Sequence, residues 1–454
     1  MTSPAIALLL SSALSLAGAD PVLSPDDAAF LHGQARQIVA SARLAAGASS
    51  GKWRNTTPYA VHVPGGNMGY PAFWIRDAVM MLGADFVPPD EVEGWIRLMA
   101  STIRRDTWNV HPGAVVPAYA VPDHINFDGR PVFYPGTYDS GAGQGGHPFG
   151  KYPPLDDHFY FIGAVFEHWR LTRSTSLFRS NVSTAAGEMP LAALCERVYL
   201  VAQSDQASGL VVAGAVDTDN AKDWGFCDTV FKSGKLLFPS VLKHNAARQL
   251  AALFAAAGDT ARSRHYDSEA RRLRQAITKT FLRGDGRHDG WLRSATGVGN
   301  QPDVWGTAFA VWSGAVDGAA ARNASRALAT AYRNRTAVRD GLVRHILTTD
   351  PANHGLWQQC IAKPGTYQNG GYWSTPTGWY IAAVRLTDPP AARAMAAEFV
   401  RSLRQDARTG GLSQAWEWLN PDTGERSNPL YVASVALPYI SLTQAGLIPL
   451  PPRP

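Results

Sequence analysis

The chain has 454 residues, 45% hydrophobic and only 17% charged, with a formal net charge of +5. So apolar a composition implies a large buried core and excludes disorder. No Lys/Arg block or basic helix accompanies the mild positive charge, so nucleic acid is excluded as a partner class. No apolar run reaches the roughly 18 residues that a membrane span needs, so no transmembrane anchor is expected.

From the N-terminus, Pro4 to Ala19 has the form of a secretory leader. Ala5 to Leu16 is its apolar core, and Ala17-Gly18-Ala19 before Asp20 is a small-residue cleavage site, although the first residues lack the usual Lys or Arg. Residues 1–19 are therefore expected to be removed, leaving 20–454 as one domain of a secreted or periplasmic protein, since no linker interrupts it. Cys195, Cys227 and Cys360 are too few for a disulfide framework and lack metal-ligand spacing; one bridge could form. Asn55, Asn181, Asn323 and Asn334 each open a glycosylation triplet.

Periodicity of three and four residues predicts twelve helices, starting with Asp26 to Ala46, which carries Phe30, Leu31, Ile38 and Val39 on one face. A long loop leads to Arg76 to Phe86 and then, after Pro88-Pro89, to Asp90 to Arg105 with Val92, Trp95, Ile96, Met99 and Ile103 in register. Asp106 to Asp156 is the longest connector. The fourth helix spans Asp157 to Leu171 and the fifth Ala185 to Val201. The loop Ser204 to Phe238 precedes Pro239 to Gly258, where Gly258 and Asp259 read as a C-cap and the next N-cap. The seventh helix ends at Phe281. Asp303 to Trp312, Gly318 to Arg333, Pro376 to Leu386, Ala391 to Gln405 and Leu430 to Leu442 complete the set.

Six long connectors alternate with five shorter ones. Short links make antiparallel neighbours, so long loops emerge at one end and the helices close as a double ring of six hairpins. The expected fold class is all-α, an (α/α)6 toroid, with short hairpins confined to its loops.

The chemistry sits in the long loops. Loop one ends in Tyr70-Pro71-Ala72-Phe73-Trp74-Ile75-Arg76-Asp77, and loop two carries Asp123-His124 and Asp156-Asp157-His158. Loop three holds Asp217, Asp219, Asn220, Asp223, Trp224 and Asp228. Loop four ends in Pro302-Asp303-Val304-Trp305-Gly306, loop five in Gln368-Asn369-Gly370-Gly371-Tyr372-Trp373, and loop six has Trp416-Glu417-Trp418. Carboxylates, amides and Arg beside Trp and Tyr suit a sugar, which offers hydroxyls for bidentate partners and an apolar face for a ring.

Cleaving a glycosidic bond takes two carboxyl groups, one protonated to donate and one ionised to activate water. Asp223 is the chosen acid because Trp224 can lower the local polarity and raise its pKa; Asp228 is held in reserve. Glu417, between two tryptophans in a loop short of other carboxylates, is the chosen base. Tyr70, Trp74, Arg76, Asp77, Asp157, Trp224, Asp303, Trp305, Gln368, Asn369, Tyr372, Trp373 and Trp416 are the candidate substrate contacts. Each has a plainer reading beside it. Asp223 could cap or salt-bridge its loop, and Glu417 could lie at the surface between packed tryptophans. Arg76-Asp77 could be an ion pair, Asp303 an N-cap, Tyr372 and Trp373 core, and Asp157 a carboxylate favoured by a helix dipole.

No metal or cofactor is expected. HExxH, Cys/His clusters, phosphate-binding glycine loops and GxSxG are absent, and Asp217, Asp219 and Asp223 match a calcium loop only in part. WIRD at Trp74 to Asp77, DWG at Asp223 to Gly225, PDVWGTA at Pro302 to Ala308 and NGGYW at Asn369 to Trp373 resemble the six-hairpin glycosidase superfamily, which includes glucoamylases, trehalases, α-mannosidases and α-L-rhamnosidases. The resemblance covers nearly all of 20–454 by order of motifs. It implies an (α/α)6 barrel and an inverting hydrolase, with the acid at Asp223, the base at Glu417, and Arg76 and Asp77 on the terminal sugar. Phe226-Cys227-Asp228 departs from the pattern by offering a second carboxylate. The alternatives are a phosphorylase, whose basic phosphate pocket no single loop shows; a lyase or epimerase, kept open by His124, His147 and His158; or a glycan-binding barrel without chemistry.

Overall fold

The computed structural model of the protein describes residues 20–111, 114–133, 154–213, 226–282, 284, 289–350, 353–407 and 411–448. Residues 1–19, the Asp223 and Trp224 positions and His147 lie outside the described residues.

Helices dominate. In chain order they are α1 (Pro25–Ser41), α2 (Ile75–Met80), α3 (Pro89–Thr102), α4 (Asp157–Thr172), α5 (Ser176–Arg179), α6 (Leu191–Tyr199) and α7 (Leu237–Ala256). Then follow α8 (Thr260–Phe281), α9 (Val304–Trp312), α10 (Gly318–Arg333), α11 (Thr377–Arg385), α12 (Pro389–Ala407) and α13 (Ala436–Gln444). Local chemistry sets the starts: Ser24 Oγ accepts from Asp27 N at 3.1 Å to cap α1, and Pro25 opens its first turn.

The described chain divides into two compact units, one of Arg43–Val63 and Tyr70–Leu273, the other of 20–42, Pro64–Gly69 and 274–448. In the first unit α4 is the hub. It packs on α2, α3, α6 and α7, and every residue from Asp157 to Trp169 is buried, as befits a helix apolar on all sides. In the second unit α11 has that place, buried from Thr377 to Val384 against α9, α10, α12 and α13.

All twelve expected helices are present, and α10 has the predicted bounds. The departures have local causes. The fifth helix starts at Leu191, not Ala185, because Asn181–Thr184 and Gly187–Pro190 pair as a hairpin that Pro190 closes. The second stops at Met80, where the chain turns on through Gly83 at φ +114°. The last helix begins at Ala436, since Leu430 and Tyr431 donate their amides to Gln414 and Ala415 rather than to a helix. α5 is an additional single turn. Asn55 is also accounted for: its side-chain amide donates to the carbonyls of Leu44, Ala45 and Tyr59, which ties it into a buried turn.

Short strands from the long loops pair within each unit. In the first, Phe73–Trp74, His124–Ile125 and Pro131–Val132 form a three-stranded antiparallel sheet. In the second, Val338–Arg339, Leu342–Arg344, Tyr372–Trp373, Trp418–Leu419 and Arg426–Ser427 form a five-stranded one. Trp74, Tyr372 and Trp373 lie on these strands, and Glu417 immediately precedes one.

Candidate active site

In the first unit the site is built around Arg76, in the first turn of α2. Its Nε lies 3.2 Å from Asp156 Oδ2 and its Nη2 3.2 Å from Asp156 Oδ1, a bidentate fork. The same Nη2 lies 3.3 Å from Asp157 Oδ2 and 3.4 Å from Asp123 Oδ1. One guanidinium thus serves three carboxylates, all buried, and Asp77 is buried beside it in the same turn. Burial opposes the charge on Arg76, but Asp156, Asp157 and Asp123 outweigh it and hold the group firmly cationic. Asp157 goes the other way. Burial lifts its pKa well above the carboxylate range, Arg76 only partly opposes this, and Asp156, Asp123 and Asp77 add to the rise.

Asp156 also accepts from Phe226 N at 2.7 Å, which anchors the turn that leaves loop three. Phe226 in turn stacks on Phe238 at the start of α7, ring centroids 4.7 Å apart. Asp228 is half-buried two residues further along this turn. His158 lies behind the cluster: burial lowers its pKa to about 3, and Nδ1 of the neutral ring accepts from Val121 N at 3.2 Å.

Two aromatic side chains flank Arg76. Tyr70, whose backbone is left-handed at φ +56°, meets Trp74 edge-on with centroids 5.7 Å apart. Both are partly exposed, and Trp74 occupies the N-cap position of α2, whose first turn carries Arg76 and Asp77. Asp157 has no exposed surface, and its carboxyl group is turned to Arg76.

The second unit places its residues differently. Asp303 caps α9, its Oδ1 accepting from Gly306 N at 2.7 Å and lying 3.2 Å from His345 Nε2. Trp305 stacks flat on His345 with centroids 4.0 Å apart and meets Trp373 edge-on at 5.3 Å. Asp303, Trp305 and His345 have no exposed surface. Substrate contact expected of Asp303 and Trp305 gives way to packing, because the helix end and the imidazole occupy them.

Loop five is similarly absorbed. Asn369 Oδ1 accepts from Trp357 N and its Nδ2 donates to Ala362 O, while the Gln368 carbonyl accepts from Trp357 Nε1. Trp373 Nε1 donates to Tyr367 O, and Arg344 lies over the Tyr372 ring at 5.6 Å. Gln368, Asn369, Tyr372 and Trp373 are all buried. The double glycine has a steric cause: a Cβ on Gly371 would stand 2.5 Å from Tyr367 O.

Glu417 enters the five-stranded sheet just ahead of Trp418. Its amide donates to Ser427 O and Asn428 O, each at 3.1 Å, and its Oε2 accepts from Asn428 Nδ2. The carboxyl group is buried, at 2% exposure. The backbone around it is unusual: Ala415, Asn428 and Leu430 are non-glycine residues at φ +42°, +48° and +57°. Left-handed backbone costs energy at such residues and gathers where a function holds it in place. Trp416 is partly exposed beneath the Arg426 guanidinium at 4.6 Å, and its buried Nε1 has no hydrogen-bond partner among the described residues.

Residue types alone did not mark Asp123 and Asp156 as partners of Arg76, or Asn428 as the partner of Glu417. The Asp156-Asp157 doublet was the visible signal for the first. Nothing local signalled the second, which depends on a hairpin register. Among the described residues no group of three or more potential ligands could hold a metal ion, and no helix is long and apolar enough to cross a membrane.

No protein-family model matches the sequence, and no curated protein matches it. Solved structures do. A glycosidase in complex with glucose aligns with TM-score 0.52 at 17% identity over 94% of this chain and 100% of that one. A rhamnosidase from Klebsiella oxytoca with rhamnose bound gives 0.56 at 13% identity, covering 94% and 66%. The Hormoconis resinae glucoamylase gives 0.54 at 12% identity, covering 93% and 74%. At such identities the likeness speaks for the fold, which is the (α/α)6 type.

Proposed function

We propose that this chain, which has the fold of the six-hairpin glycosidases, is an inverting glycoside hydrolase that removes the terminal sugar of a neutral oligosaccharide or glycoside. The observation that carries the reading is Glu417: a buried carboxylate, fixed through its amide to the sheet, oriented by Asn428 and surrounded by left-handed backbone. In the proposed mechanism Glu417 takes a proton from water as that water attacks the anomeric carbon. Asp223 donates a proton to the departing oxygen, with Asp228 as the second choice. Arg76 and Asp77 hold the terminal sugar, with Tyr70, Trp74 and Trp416 as apolar walls.

Hydrolysis is favoured over phosphorolysis by charge. Around Arg76 the carboxylates outnumber the single cation, and a field of that sign repels phosphate. Glucose in one structural neighbour and rhamnose in another make neutral pyranoses the first substrates to try.

The test is a panel of p-nitrophenyl α- and β-glycosides of glucose, mannose, galactose and L-rhamnose, with the anomer of the first-formed product read by NMR. The expected result is turnover of at least one glycoside with inversion, and loss of about a thousandfold in Asp223→Asn. Retention of configuration would overturn the mechanism, and no turnover anywhere on the panel would overturn the function.

A further inference from the structure

His124 has no part in the mechanism above, yet it is held as firmly as any residue beside Arg76. It sits on a two-residue strand, and its partner across the ladder is Trp74. The two rings stack, with centroids 4.2 Å apart and planes 25° from parallel. His124 Nδ1 lies 2.8 Å from Asp123 Oδ2, and the other oxygen of that buried carboxylate faces Arg76. With the Asp123 carboxylate accepting from Nδ1–H, the ring is fixed in rotation, and the neutral ring presents Nε2 as an acceptor.

That leaves Nε2. Among the described residues it has no protein partner, and the side chain is 14% exposed. The neighbouring indole repeats the pattern: Trp74 Nε1 is buried and has no hydrogen-bond partner among the described residues. An unsatisfied buried N–H is costly, and this one belongs to a ring stacked on the partly exposed His124, where an arriving group can satisfy it. One atom donates, the other accepts, and both belong to rings clasped across one ladder.

We propose that Trp74 Nε1 and His124 Nε2 form a hydroxyl-reading pair for a neutral pyranose. The indole N–H donates to one sugar hydroxyl, and the imidazole Nε2 accepts from a second. Tyr70, edge-on to Trp74, supplies apolar surface for the C–H face of the same ring. The carboxylate excess around Arg76 selects against sugars bearing a carboxylate or phosphate. This assignment rests on the glycosidase reading and names the residues that would recognise its substrate.

Two variants separate recognition from support. His124→Asn keeps an amide where Nδ1 meets Asp123 but lacks the reach of Nε2. His124→Gln places an amide near Nε2 and gives up the Asp123 bond. The probes are free glucose and L-rhamnose, followed by calorimetry, and whichever aryl glycoside the wild type cleaves. The expected result is that His124→Asn raises Kd and KM about tenfold with a smaller change in kcat, while His124→Gln stays within about threefold of wild type. Trp74→Phe, which keeps the stacked ring and loses the N–H, should weaken binding to a similar degree.

The reverse order, with His124→Gln impaired and His124→Asn normal, would show that His124 only supports Asp123 and would overturn the assignment. Wild-type affinity in both His124→Asn and Trp74→Phe would overturn it as well. If the wild type cleaves a glycoside while these outcomes appear, the recognition pair fails and the hydrolase reading stands. If it neither binds nor cleaves any sugar tested, both fall.

Discussion

In the first unit one guanidinium serves three carboxylates; in the second, one carboxylate serves a helix end and an imidazole. Both clusters are buried, and both come from motifs that look alike in sequence, an Asp and a Trp at the start of a helix. Around Asp303 one carboxylate oxygen caps a helix and faces an imidazole, and Trp305 and His345, stacked on each other, have no exposed surface. Around Arg76 three carboxyl groups face one guanidinium, burial disfavours the charged form of Asp157, and ring nitrogens of Trp74 and His124 remain without protein partners among the described residues. The lesson is that a buried ion cluster does not by itself mark a site. Partly exposed rings beside it do, as at Tyr70, Trp74 and His124, whereas Trp305 and His345 have no exposed surface.

The strongest way to break this contrast is Arg76→Met. Removing the cation leaves Asp123, Asp156 and Asp157 buried without a partner, which should cost about 3–5 kcal/mol in urea unfolding. A cost near zero would mean that the cation does not hold the cluster together. Asp303→Ala comes next. Losing a helix cap and the partner of a buried imidazole should cost about 2–3 kcal/mol by the same assay. Asp303→Asn should cost less, because its side-chain oxygen can still cap α9.

Asp157→Asn sharpens the comparison through pH. In the folded chain burial holds the Asp157 pKa well above the ordinary 3.8, so the folded protein keeps a proton that the unfolded chain gives up. The stability tied to that proton is whole below 3.8 and is lost as pH rises through the folded value. The Asn variant has no such proton and should gain on wild type as pH climbs from about 4 to about 8. A constant difference across that range would place Asp157 among ordinary carboxylates.

The smallest expected effect belongs to His62, which meets Trp95 edge-on at 5.1 Å. Burial, with help from Arg43, lowers its pKa from 6.5 to about 3. A depressed folded value means stability that is present above 6.5 and lost as pH falls toward 3. His62→Phe keeps the ring contact and cannot protonate, so its acid unfolding midpoint, followed by circular dichroism, should move to lower pH. The shift is partial because His158 is depressed in the same way and remains. An unchanged midpoint would remove His62 from the acid transition.

The helices were legible because their signals are local. α10 alternates apolar and polar residues at helical spacing over its whole length, and the Gly258-Asp259 break between α7 and α8 announces itself within two residues. The sheets were not, because their strands are two or three residues long and pair across separate loops; Tyr372 finds Leu419 with no pattern in either. The same limit applied to the site. Arg76 and the aromatic residues before it were legible as a group, but Asp156 lies 80 residues away and only the fold joins them. Asp303 was misplaced for another reason: a carboxylate beside a Trp reads as a sugar contact until the helix behind it claims the oxygen.

The most direct test sets Glu417→Gln beside Asp303→Asn on whichever aryl glycoside the wild type cleaves, reading kcat/KM and the melting temperature together. Glu417→Gln should lose about a thousandfold in kcat/KM with its melting temperature nearly unchanged. Asp303→Asn should melt lower yet keep kcat/KM within about tenfold at a temperature where it is folded. An active Glu417→Gln, or a stable Asp303→Asn without activity, would contradict the division between site and scaffold.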